Sequence, residues 1–100
     1  MNKKRGPKVK VYNADLVAIF KCMGTTLRKL RKEKGFTSHE TFAFRMGLAR
    51  AQYLKYELGG NIQMDSFLLL MKEMDIKPSA FFLLVEESLS TPPAENQTEV

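Results

Sequence analysis

The chain has 100 residues, 44% of them apolar, which is enough for one modest core and too little for two independent domains. Its net charge of +5 is unevenly spread: residues 1–56 hold 14 Lys or Arg against 3 Asp or Glu, and residues 57–100 hold 2 against 8. One cysteine, Cys22, excludes an internal disulfide, and no apolar run approaches the length of a membrane span.

The charge asymmetry suits a basic end that meets a polyanion and an acidic end kept away from it, the alternative being a solvated surface whose charges happen to segregate. A lone cysteine fits a reducing cytoplasm. The basic start followed by ADLVAIF is superficially like a signal peptide, but Asp15 interrupts the apolar region, so the chain is expected to be soluble and unexported. With one His and one Cys, no glycine-rich phosphate loop after a strand and no serine in a nucleophile-elbow context, neither enzymatic activity nor a metal or other cofactor is expected.

Residues 1–12, MNKKRGPKVKVY, carry five positive charges, no acid and the breakers Gly6 and Pro7, and read as a disordered basic arm or a solvated tail. Asn13 is a suitable N-cap for a first helix over Ala14 to Lys34, in which Leu16, Ile19, Phe20, Met23, Leu27 and Leu30 recur at helical spacing. Gly24 costs that helix about 1 kcal/mol relative to alanine, so a break near it is the alternative to one continuous rod. Gly35 is a stop signal. Ser38, in better register than Thr37, caps a short second helix from His39 to Met46, where Phe42, Ala43 and Met46 share a face.

After Gly47 a third short helix, Ala49 to Leu58, places Tyr53 and Tyr56 inward and leaves Arg50, Gln52 and Lys55 on the free face. A fourth helix from Asp65 to Met74 is expected to turn Phe67, Leu68, Met71 and Met74 inward, and Pro78 suits the first turn of a fifth. Phe81, Phe82, Leu84 and Val85 exceed what one small helix needs, which points to a tightly closed core or a dimer surface. The domain is read as residues 13–85, and residues 86–100, acidic and rich in turn formers, as a disordered tail. Phe44 faces outward, a partner contact or an isolated surface aromatic.

Ala43 is followed by Gly47 four residues on, Glu57 ten further and Gly59 two beyond that, with Arg31 four residues before Gly35. This pattern, from about Gly24 to Phe82, resembles the XRE family, the phage-repressor-and-Cro-like helix-turn-helix proteins. The resemblance implies an all-α, compact five-helix, lambda-repressor-like domain acting as a sequence-specific regulator of transcription on double-stranded DNA. It implies that the third helix enters the major groove with Arg50, Ala51 and Lys55 on base-facing sites and Ala49 and Gln52 beside them. It further implies phosphate contact at the start of the second helix, from Ser38 and His39, and a structural ion pair between Arg31 and Glu57.

Three residues or stretches depart from the family pattern. Ala49 stands where Ser, Thr or Asn usually caps, Leu54 occupies an outward site usually small or polar, and the loop Gly60-Asn61-Ile62-Gln63 lacks basic residues. Phosphate binding is therefore expected to lean on the first helix and the arm. Two assemblies remain open: a DNA-bound homodimer, or an antitoxin resembling the HigA type whose main partner is another protein. No membrane partner is expected.

Overall fold

A computed structural model describes residues 13–90, and these form five α-helices with no strand among the described residues. The expected basic arm at residues 1–12 and the last ten residues of the expected tail lie outside the described residues. Helix α1 spans Ala14–Glu33, α2 His39–Met46, α3 Arg50–Glu57, α4 Met64–Glu73 and α5 Pro78–Ser90.

Local chemistry sets most of these boundaries. Asn13 Oδ1 accepts the Leu16 N–H at 2.9 Å and opens α1, and Ser38 Oγ accepts the N–H groups of Glu40 and Thr41 at 3.0 and 3.3 Å and opens α2. The first four helices end alike. A residue in the left-handed region reverses the chain, and the amide after it bonds a carbonyl five residues back: Phe36 to Arg31, Leu48 to Ala43, Gly60 to Lys55 and Ile76 to Met71, at 2.8–3.1 Å. The reversing residue is glycine at 35, 47 and 59, but at α4 it is Asp75, with φ +56°.

The core is one cluster: Leu27 from α1, Phe42, Ala43 and Met46 from α2, Tyr53 and Tyr56 from α3, then Phe67, Leu70, Met71 and Met74 around α4, and Phe81 and Val85 from α5. Aromatic edges run through it from Phe36 to Phe42 to Tyr53 to Tyr56, with centroid distances of 5.1, 5.1 and 6.5 Å, and separately from Phe67 to Phe81 at 5.2 Å. Helix α1 packs against both α3 and α5. Cys22 is half-buried against this cluster, in keeping with a small packing residue.

Two details differ from the sequence reading. Leu68, expected inward, is exposed, and Leu70 is fully buried in its place; the spacing 67, 70, 71, 74 is the helical stripe, and 68 sits just past its edge. Helix α5 continues to Ser90, five residues beyond Val85, so residues 86–90 are helical where the tail was expected to begin. Acidic Glu86 and Glu87 lower no helix propensity, and composition alone does not end a helix that its neighbour supports.

Gly24 does not break α1. A Cβ built there would meet the Glu57 carbonyl oxygen and lie 2.7 Å from that of Tyr56, so the glycine is what lets α1 approach the end of α3. Replacing Gly24 by alanine is therefore expected to destabilise the domain in spite of a helix-propensity gain of about 1 kcal/mol. Asp75→Gly, by contrast, removes an αL penalty of about 1 kcal/mol and is expected to raise the melting temperature. Thermal unfolding followed by circular dichroism checks both signs.

Candidate nucleic-acid interface

The surface formed by α2, the turn at Gly47 and α3 is defined by what α3 buries. Tyr53, Tyr56 and Glu57 face inward at spacings of three and four, which turns Arg50, Ala51, Gln52 and Lys55 to solvent, with Ala49 exposed just before them. Leu54 is half-buried. Eight residues of helix do not hold their shape alone. The orientation of α3 must come from its attachments.

The first attachment is Arg31, whose Nε donates to Glu57 Oε2 at 2.7 Å and whose Nη2 donates to Oε1 at 3.3 Å, while Nη1 donates to the Phe36 carbonyl at 2.7 Å. Both side chains are only 4% exposed, so this bidentate pair is a buried strut from α1 to the last turn of α3. The Glu57 hydrogen bond holds the Arg31 guanidinium above its ordinary range, more than offsetting the effect of burial. The second attachment is Tyr53, fully buried, whose hydroxyl finds no hydrogen-bond partner among the described residues. Burial first, and the neighbouring Glu57 carboxylate second, push its pKa far above the usual phenol range.

The exposed side chains of α3 are not all loose. Arg50 Nη1 donates to Glu40 Oε2 of α2 at 2.6 Å, and Gln52 Nε2 donates to the Tyr56 hydroxyl at 2.8 Å. The Lys55 stem lies against Gly60, where a Cβ would come within 2.7 Å of Lys55 Cγ. Ala49 supplies no side-chain cap, so the first amides of α3 have no side-chain acceptor from that position.

Ser38 and His39, half-buried at the start of α2, line a groove of about 360 Å³ with Arg28 and Lys32 of α1 and Leu54 of α3. The expected phosphate-contact residues thus lie next to two cations of the first helix. The expectation that phosphate binding leans on the first helix singled out neither Arg28 nor Lys32; their nearness to Ser38 depends on how α1 crosses α2. Glu40 and Gly60 also carried no sequence signal of their own. An acid in a first turn reads as a dipole partner, and the Glu40–Arg50 pair spans a turn that no intrahelical spacing marks.

A short, firmly seated helix that presents a charged and polar face beyond a tight turn is the arrangement of a helix-turn-helix protein. Residues 27–81 match the helix-turn-helix family, more than half of the chain. The chain belongs to that family, in its XRE type. It is also similar to a solved structure, the restriction-modification controller protein C.AhdI from Aeromonas hydrophila. The two are 39% identical with a TM-score of 0.57, over 70% of this chain and all of that one. No protein of curated function matches the chain. The chain is a DNA-binding regulator of transcription.

Removing one partner of the strut leaves the other charge buried and uncompensated, so Glu57→Ala is expected to cost about 3–5 kcal/mol in denaturant unfolding. For Tyr53 the sign follows from its raised pKa: the unfolded chain ionises it near pH 10 while the folded chain keeps it neutral. Its contribution is therefore complete below about pH 10 and declines as pH rises further. Urea titrations at mildly and strongly alkaline pH are expected to show a shallower loss of stability in Tyr53→Phe than in the parent.

Proposed function

We propose that α3 enters the major groove of a specific duplex, with its buried face held by Arg31–Glu57 and its free face turned to the bases. The observation that carries this reading is the exposure of Arg50, Ala51, Gln52 and Lys55 on one side of a helix whose other side is locked into the core. Arg50 offers a fork of donors suited to the O6 and N7 acceptors of guanine, a contact that discriminates by about 1–3 kcal/mol. Ala51 suits contact with a thymine methyl. Lys55, one turn on, reaches a second guanine or a phosphate, and Gln52 and Ala49 flank them.

Phosphates are held at the start of α2 by Ser38 and His39, with Arg28 and Lys32 close by. The likeness to a restriction-modification controller supports the same kind of task, adjusting expression of a restriction-modification gene set. A symmetric homodimer fits this reading. Leu68, Leu69, Phe82, Leu83 and Leu89 of α4 and α5 are exposed apolar residues on the two helices away from α3. Two copies would then read half-sites about 34–36 Å apart. The competing assembly, an antitoxin-like complex, would show itself as a stoichiometric basic protein co-purifying with the chain, whereas a dimer of the chain alone in sedimentation equilibrium counts against it.

Selection of bound duplexes from a random library tests DNA reading, motif and symmetry together. Arg50→Ala is expected to relax preference at one base pair of each half-site, and Lys32→Ala to weaken all duplexes alike and lower the salt slope by about one. If Arg50→Ala and Lys55→Ala select the same motif as the parent with unchanged affinity, α3 is not the reading helix.

A further inference from the structure

We propose that Glu40 of α2 is a positioning residue for base recognition, holding the Arg50 guanidinium in front of the first turn of α3; this rests on Arg50 being the base reader. The ion pair is the described contact that joins exposed side chains of α2 and α3 across the turn, at 2.6 Å, with the Glu40 side chain 55% and the Arg50 side chain 66% exposed. Glu40 is itself placed. Its N–H is bonded to Ser38 Oγ at 3.0 Å, and its carboxylate sits in the first turn of α2, where the helix dipole favours negative charge.

The geometry leaves Arg50 able to read. Glu40 Oε2 takes one N–H from Nη1, and a guanidinium has five, so Nε and Nη2 remain for a bidentate contact. Arginine has large rotamer entropy, and a reader that is already oriented loses less of it on docking. The pair carries an electrostatic consequence as well. A carboxylate this close to the phosphate-facing start of α2 repels a duplex in any sequence, and the repulsion is best tolerated when Arg50 stays beside it. Glu40 therefore acts in two opposite senses: it weakens binding to random DNA and strengthens the discrimination that Arg50 provides.

Opposite signs make the test sharp. Using the full chain, affinities for the selected duplex, for a duplex altered at the Arg50-dependent base pair and for a random duplex are measured in the parent, Glu40→Ala, Glu40→Gln, Arg50→Ala and the double variant. Glu40→Ala is expected to reduce preference at that base pair by about two- to five-fold, the range of an exposed ion pair, while random-duplex affinity stays equal or rises. Glu40→Gln, which keeps an oxygen acceptor for Nη1, is expected to recover part of the preference. In an Arg50→Ala background, removing Glu40 is expected to leave preference at that position unchanged.

The positioning role is overturned if Glu40→Ala retains full preference at the Arg50-dependent base pair, or if specific and random affinities fall together, the mark of a merely structural loss. Circular dichroism melting of each variant identifies a folding defect, and Glu40→Gln then carries the comparison. If Arg50→Ala itself leaves every preference intact, Arg50 is not a base reader and the role of Glu40 falls with it; loss of preference in Arg50→Ala but not in Glu40→Ala overturns the role of Glu40 alone.

Discussion

The seat of α3 on α1 is the constraint from which the rest of the surface follows. A two-turn helix has neither the length to persist nor enough apolar area to fix its own rotation. Two contacts supply what it lacks: the close approach of its last turn to Gly24, which no side chain at that position would permit, and the buried fork between Arg31 and Glu57. The first sets the distance between the helices and the second sets the rotation of α3 about its axis. Once the rotation is fixed, which residues face outward is no longer free.

The strut is a charged pair in a place where two charges are costly to bury. It persists because each guanidinium nitrogen makes a hydrogen bond: Nε and Nη2 to the carboxylate and Nη1 to the Phe36 carbonyl at the turn between α1 and α2. One side chain thereby ties three segments, the end of α1, the loop after Gly35 and the end of α3. An apolar pair of equal volume would fill the space but would not hold the loop carbonyl, so the arrangement specifies geometry as well as stability.

Around this seat the molecule divides its labour. α1, α2 and α3 present the cationic and polar side, with Arg28, Lys32, Ser38 and His39 around one groove and Arg50 and Lys55 on α3. α4 and α5 close the core through Phe67, Phe81 and Val85 and leave leucines and Phe82 at the surface. Phe44, 87% exposed on α2, belongs to neither set.

Much of this was legible in the order of residues, because the physics involved is local. Asn13 and Ser38 act as caps on amides two or three residues away, Gly35, Gly47 and Gly59 supply left-handed turns, and the apolar stripes follow from 3.6 residues per turn, so five helices could be read to within a residue or two except at the end of α5. The outward set Arg50, Gln52 and Lys55 was readable for the same reason, being what Tyr53 and Tyr56 leave uncovered. What only the tertiary structure decided are relations between residues far apart in the chain. Gly24 is a helix-weakening residue until α3 lies across it, and Glu40 is an ordinary first-turn acid until the turn at Gly47 brings Arg50 to it. Sequence spacing encodes the faces of each helix, but the distance between two helices is set by the side chains of both at once.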